Sequence, residues 1–254
     1  VSADVGNQSR FAACPIADGG TSSAAWLDWL PGSPTLDFST CSSLTVVAAH
    51  PDDETYGFGG AAAALRDRGV DVQLISVTDG GGAFADWSPA RRAGLEAARR
   101  GELRRAADAL GIDDVVELGL PDGELESHES ALTESLVGLL TGRPPGSWCA
   151  ATWRGDGHPD HEAVGRAAAA ACARTSVRLL EYPIWMWHWA EPADAAVPWS
   201  RMQRVVVDAS AAARKESAAA QFHSQTVPPA GGGGAVLPPD VVDRLMRVGE
   251  VVFV

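Results

Sequence analysis

At 254 residues, 46% hydrophobic and 21% charged, the chain can bury a full core, and one α/β domain is the default at this length. A formal charge of −13 with no strongly basic patch argues against a nucleic-acid partner, whose phosphates such a surface repels. No apolar run approaches the ~20 residues needed to cross a bilayer, and no positively charged leader opens the chain, so a cytoplasmic location without a transmembrane segment is expected. The four cysteines, Cys14, Cys41, Cys149 and Cys172, show no CxxC spacing and read as buried thiols. Cys14 and Cys41 flank an irregular segment, which leaves a pairing between them open.

Residues 1–43 are rich in Ser, Gly, Ala and Asp around Trp26, Leu27, Trp29 and Leu30, and read as an extension wrapped on a domain spanning 44–254. From Leu44 the pattern alternates: a strand at Leu44–Ala49, a helix at roughly Gly59–Arg68 and a strand at Val72–Thr78. A long helix follows, opened by Ser88 as N-cap with Pro89 in its first turn and ended by Gly111. Then come a strand at Val115–Leu118, a helix near Ala131–Leu140, a strand at Cys149–Trp153, an Ala-rich helix after His161 and a strand at Arg178–Tyr182. The pattern resumes at Val205–Asp208, with helices near Ala211–His223 and Pro239–Val248, a Pro/Gly loop through Gly231–Gly234 between them, and a last strand at Val251–Val254. Strands alternating with helices predict a Rossmann-like α/β fold, a mostly parallel sheet covered on both faces.

The first predicted strand runs directly into His50-Pro51-Asp52-Asp53-Glu54, and Gly157-His158-Pro159-Asp160-His161 lies about a hundred residues on. Ligands of open α/β sheets bind at the C-terminal strand ends, where both segments fall. Three residues apart in a turn entering a helix, His50 and Asp53 point the same way, which leaves Asp52 free. His161 at a helix start is the third ligand, with His158 one turn back on the opposite side. Such a His/Asp/His set with open positions suits Zn²⁺ holding a water. Taken singly, each motif also reads as an ordinary acidic loop or helix cap. Both together at strand–helix junctions favour a metallohydrolase.

The HPDDE and HPDH pair resembles the LmbE-like (PIG-L) family of zinc-dependent N-acetylglucosamine deacetylases. Further matches are Arg99-Arg100-Gly101-Glu102-Leu103, Leu118-Gly119-Leu120-Pro121-Asp122-Gly123, and Lys215 followed by His223-Ser224-Gln225, so the likeness covers about residues 44–226. The resemblance implies that His50, Asp53 and His161 bind zinc and that Asp52 is the general base. It gives His158 the task of stabilising the oxyanion or protonating the leaving amine, and Arg99 that of holding a small-molecule glycoside. Where the mycothiol-pathway relatives carry a tyrosine two residues before the first histidine of HPDH, this chain has Asp156, which either reads a sugar hydroxyl or shapes a turn.

Tyr182-Pro183-Ile184-Trp185-Met186-Trp187-His188-Trp189 reads either as one face of a buried strand or as a cleft wall in which Trp185 and Trp187 stack on substrate. The second reading resembles the glycopeptide-antibiotic (teicoplanin-type) pseudoaglycone deacetylases, whose substrate is aryl-rich. The Trp segment and the Gly231–Gly234 loop also suggest a peripheral lipid contact or a mobile lid. His223 reads as pocket wall or structural cap. Rival functions are an amidase of the mycothiol-conjugate type, a non-catalytic sugar-binding protein, and a nucleotide-binding module. Gly57-Phe58-Gly59-Gly60-Ala61-Ala62 matches a dinucleotide pattern, but His50–Tyr56 separates it from the strand, where the fingerprint needs the turn at once.

Overall fold

The computed structural model describes residues 6–30, 32–230 and 233–254. After two short helices, α1 (Asn7–Ala12) and α2 (Ser23–Trp29), the chain alternates through β1 (Ser43–Ala48), α3 (Asp53–Asp67), β2 (Asp71–Thr78), α4 (Pro89–Leu110) and β3 (Asp114–Leu120). It continues through α5 (Leu125–Leu140), β4 (Ser147–Thr152), α6 (Pro159–Thr175), β5 (Arg178–Tyr182) and α7 (Met186–Trp189). The last elements are β6 (Met202–Arg204), α8 (Ala209–Ala219), α9 (His223–Thr226), α10 (Pro239–Arg247) and β7 (Val251–Phe253). The seven strands form one sheet in the order β3-β2-β1-β4-β5-β7-β6. The first five are parallel and β7 runs antiparallel to its neighbours. This is the Rossmann-like, mostly parallel α/β architecture expected from the alternation of strands and helices.

Between β1 and β4 the strand order reverses direction. The chain therefore leaves these two strands toward opposite faces of the sheet, and a crevice opens where their C-terminal ends part. β1 and β4 are buried along their whole length, as a central parallel strand requires. One face of the sheet is covered by α5 and α6, whose Leu132, Leu136, Ala163 and Ala167 meet Val47 and Ile75. The other carries α3, α4, α8 and α10 over Val46, Leu74 and Leu180.

Several boundaries differ from the sequence expectation. Helix α3 starts at Asp53, six residues before the expected Gly59, because the carboxylates of HPDDE form its first turn instead of a solvated loop. The Trp segment is the short helix α7 and not a strand face. The residues at 205–208 lead into α8, and the strand pairing there is made by β6 just upstream. Residues 6–43 join the main core through Trp26, Leu30, Leu36 and Phe38, and Thr35 bridges Arg204 at the sheet edge. All four cysteines are free thiols, so Cys14 and Cys41 do not pair. Of the Gly231–Gly234 loop, Gly231 and Gly232 lie outside the described residues.

A buried ion pair ties the C-terminal third to α3. Lys215 Nζ on α8 donates to Glu250 Oε1 at 2.8 Å and to the Tyr56 carbonyl at 2.7 Å, while Glu250 accepts from the Gly60 and Ala61 amides. Removing one partner leaves an uncompensated buried charge. Lys215→Met is therefore expected to destabilise the fold by roughly 3–5 kcal/mol in a denaturant titration, and a loss below about 1 kcal/mol counts against this role.

Candidate metal centre and active site

All five parallel strands deliver residues to one crevice. The β1 end supplies His50, Asp52 and Asp53, and the β4 end His158 and His161. Gly80–Gly82 follow β2, Asp122 and Gly123 follow β3, and Ile184 and Trp185 follow β5. His50 Nδ1, His161 Nε2 and Asp53 Oδ2 form a triangle with sides of 3.2, 3.3 and 3.4 Å. A tetrahedral ion with ligand bonds of about 2.0–2.1 Å has donor–donor edges of about 3.3 Å, so the triangle matches one face of a zinc-type coordination sphere.

The outer nitrogens of both imidazoles are anchored by carboxylates. His161 Nδ1 donates to Asp156 Oδ2 at 2.8 Å, and His50 Nε2 lies 2.9 Å from Asp122 Oδ1. With those positions protonated, the inner nitrogens present two lone pairs toward each other and toward Asp53. A proton on His50 or a metal ion relieves that crowding, and carboxylate-anchored histidines are the usual support of metal sites. Asp52, Asp53, Asp122 and Asp160 outnumber the nearby Arg99, which leaves a negative surplus for a divalent ion to offset.

The electrostatics follow this crowding. Burial pulls the His50 imidazole down, but the charge of Asp122 and hydrogen bonds from Asp122, Asp160 and Asp53 more than reverse it and hold His50 well above its usual range. Burial opposes ionisation of Asp53, yet His161 and His50 bring it down to about 2. Asp122 is likewise lowered against its burial by His50. Asp52 goes the other way: burial raises it, Arg99 opposes, and Asp53 and Glu54 add to the rise. His158 is pushed well below its usual range by burial and then by His161 and His50.

Asp52 stands outside the triangle. Its backbone takes φ 127°, a region costly for any residue but glycine, at the N-cap of α3. Surrounding bonds hold it there: Arg99 Nη2 donates to the Pro51 carbonyl at 2.7 Å and to Asp52 Oδ2 at 3.3 Å, and the Asp52 amide donates to Glu54 Oε2. The other Arg99 amino group donates to the Gly80 carbonyl. Much of the guanidinium therefore braces the loop, although Arg99 also lines the cavity. His158 caps α6, its Nδ1 accepting from the Asp160 amide at 3.3 Å, so its other ring nitrogen carries the proton. Its ring lies 5.0 Å from that of His50 and 4.8 Å from that of His161, beside the two candidate ligands and not across the site.

The cavity has a volume of ≈ 520 Å³, within the usual range for small-molecule sites. Its floor is polar, built by His50, Asp52, Asp53, Arg99, Asp122 and His158. Its upper wall is apolar, from Phe11, Ile16, Ile184, Trp185, Val236, Leu237 and Leu245. Two of these, Phe11 and Ile16, come from the N-terminal extension. Gly157 allows α1 to approach: its φ is +90°, and a Cβ there would sit 2.7 Å from Trp189 Nε1 and 2.9 Å from Phe11 Cβ.

Three expected substrate contacts fall elsewhere. Asp156 is fully buried behind His161, where it accepts from His161 and from the Ile184, Trp185 and Met186 amides, so it neither reads a sugar nor merely shapes a turn. Trp187 packs edge-on against Trp26 at 5.0 Å in the core, whereas Trp185 does line the cavity. His223 is exposed and bonds the Gln221 carbonyl; Gln225, two residues on, is the cavity residue of that motif. Asp122 is the site residue that its sequence motif left without a task. Its place just past the end of β3 was the available signal.

The sequence model of the PIG-L family, described as GlcNAc-PI de-N-acetylase, matches residues 45–172, about half of the chain. A Bacillus anthracis relative named "Probable N-acetyl-alpha-D-glucosaminyl L-malate deacetylase 2" is 34% identical over 133 residues, which are 51% of this chain and 59% of that protein. This chain thus spans less than two thirds of that relative's length. Among solved structures, the conserved protein TT1542 from Thermus thermophilus aligns with a TM-score of 0.53 at 29% identity, over 74% of this chain and 82% of that one. A teicoplanin deacetylase in a zinc-inhibited form shares the fold, with a TM-score of 0.59 at 18% identity over 73% and 85% of the two chains. The matched stretch runs from β1 to α6 and carries both histidine motifs, and on that match the chain belongs to the PIG-L family.

Proposed function

We propose that this chain is a metal-dependent N-deacetylase that hydrolyses the acetamide of an N-acetylglucosaminyl group, giving acetate and a free amine. The observation that carries this reading is the His50/Asp53/His161 triangle of zinc-type dimensions, with Asp52 beside it and outside it. A divalent cation held by these three residues, Zn²⁺ by the donor set, supplies Lewis-acid polarisation of the amide carbonyl and acidifies water.

The chain's own groups do the rest. Asp52, raised by burial and steadied by Arg99, takes a proton from the attacking water. His158, neutral and protonated on the nitrogen away from Asp160, donates a hydrogen bond to the carbonyl oxygen as negative charge gathers there. That geometry favours oxyanion stabilisation over direct protonation of the amine as the first task of His158. Asp122 and Asp156 keep His50 and His161 in the tautomers that face the metal. The paired base and donor favour an enzyme over a silent sugar-binding protein.

For the aglycone, the apolar wall favours a conjugate with an aryl or alkyl surface, the property that glycopeptide-type substrates share. A malate conjugate of the kind named for the Bacillus relative carries carboxylates that need a cation. Of the arginines lining the cavity among the described residues, Arg99 is engaged by Pro51, Gly80 and Asp52, and Arg92 by the Trp87 and Ala85 carbonyls. Peripheral lipid contact has no support of this kind. Among the described residues, no helix is long and apolar enough to cross a membrane.

The test is mass spectrometry of N-acetylglucosaminides carrying malate, inositol or an aryl aglycone after incubation with the protein. Loss of one acetyl unit, fastest from the aryl conjugate, is expected, with activity abolished by a chelator and restored by Zn²⁺. Acetyl groups retained on every conjugate would end the assignment, and undiminished turnover after chelation would end the metal's part in it.

A further inference from the structure

Three residues that line the cavity each carry one buried polar atom with no hydrogen-bond partner among the described residues: the Tyr56 hydroxyl, Gln225 Oε1 and Arg99 Nε. Tyr56 is 3% exposed and Gln225 is fully buried. Most buried polar groups in folded proteins are bonded, so these orphans beside the reacting groups need an explanation; the Arg99 guanidinium is already held by Gly80, Pro51 and Asp52, which leaves Tyr56 and Gln225.

Neither is a residue free to turn away. Gln225 is oriented by a chain of hydrogen bonds. Glu102 accepts from the Ser224 amide at 2.9 Å and from Ser224 Oγ at 2.6 Å. With its hydrogen so committed, Ser224 Oγ can only accept from Gln225 Nε2, at 2.8 Å. The amide of Gln225 is thereby fixed with nitrogen toward Ser224 and oxygen unpaired. Tyr56 lies one helical turn past Asp52 on α3, and its carbonyl is gripped by Lys215. Its phenol stays protonated, pushed up by burial and by the charges of Asp52 and Glu54.

The protein therefore holds a fixed donor and a fixed acceptor on one cavity. A hydroxyl satisfies both, since it accepts one hydrogen bond and donates another. Tyr56 sits one helical turn from Asp52, the proposed base, so the group within reach belongs to the sugar ring and not to a distant aglycone. We propose that Tyr56 and Gln225 form a specificity subsite for one ring hydroxyl of the N-acetylglucosaminyl group, Tyr56 donating to it and Gln225 accepting from it. This rests on the deacetylase reading above and names what selects the sugar.

The test uses the metal-loaded protein with methyl N-acetylglucosaminide and its 3-, 4- and 6-deoxy forms, comparing wild type, Tyr56→Phe and Gln225→Leu. Each variant is expected to raise KM for the parent glycoside about ten-fold, roughly one hydrogen bond's worth, with a much smaller change in kcat. One deoxy form should be a correspondingly poor substrate of wild type and lose nothing further in the variants. Additive losses with all three deoxy sugars overturn the proposal. A second readout is the melting temperature without substrate. Tyr56→Phe should leave it unchanged or raise it, because the deleted hydroxyl has no partner. A clear drop means that the hydroxyl serves the fold, and ends the proposal. Calorimetric binding of the glycoside separates the two readings. If wild type binds but does not deacetylate, the reaction is wrong, and the subsite still stands or falls on weaker binding by the variants.

Discussion

Asp52→Asn is expected to lower kcat by ~10²–10⁴ while the protein folds normally and still takes up one divalent ion per chain. The two halves of this outcome have separate causes. Asparagine cannot accept the proton of the attacking water, so general-base assistance is lost. The triangle of His50, Asp53 and His161 does not include Asp52, so affinity for the ion is retained. The backbone also tolerates the exchange. At φ 127° asparagine is among the residues least penalised, and its side-chain oxygen can still accept from Arg99. Turnover should therefore be compared beside metal content and a melting curve. A variant with wild-type turnover removes Asp52 from the chemistry, and one that has lost the metal places it among the ligands.

The second large effect is expected at a residue that touches no substrate. Asp156→Asn should weaken zinc affinity ~10–100-fold, with a matching fall in activity at limiting metal. In the native protein Asp156 Oδ2 accepts from His161 Nδ1, and both carboxylate oxygens take backbone amides of residues 184–186. Asparagine has one acceptor and one donor where two acceptors are needed. If its nitrogen faces His161, the imidazole must take the other tautomer and aim a hydrogen at the metal position, as happens when the carboxylate of a catalytic triad is amidated. If its nitrogen takes the place of Oδ1 instead, it meets the Ile184 and Met186 amides, donor against donor at a cost of about 1–3 kcal/mol each. Zinc titration and a denaturant curve distinguish these cases, and unchanged values in both would show that the carboxylate is dispensable.

The fold and the grouping of His50, Asp53 and His161 were readable because both depend on local pattern. β1 and β4 are apolar runs that end in histidine motifs, and the doubly wound topology fixes where such ends meet. The errors concern residues whose task depends on a distant partner. Asp156 looked available to a ligand because nothing near it in sequence shows that the Ile184, Trp185 and Met186 amides close over it. The same closure turns the Trp run into a helix after Pro183, where alternation alone suggested a strand. His223 and Gln225 differ by two positions on a four-residue helix, and only its packing decides which of them faces inward. The apolar wall from Phe11, Ile16, Val236 and Leu237 joins chain segments more than two hundred residues apart, beyond the reach of any periodicity.

The fourfold use of Asp156 divides the cavity into two mechanical regimes. Trp185 is seated by the same carboxylate that steers His161, so reshaping that side for a new substrate disturbs the ion's affinity as well. Phe11 packs on Trp185 and His158, and the Leu237 amide bonds the Gln225 carbonyl, so Ile16 and Val236 are where libraries aimed at altered aglycone preference can diversify with least effect on the candidate centre.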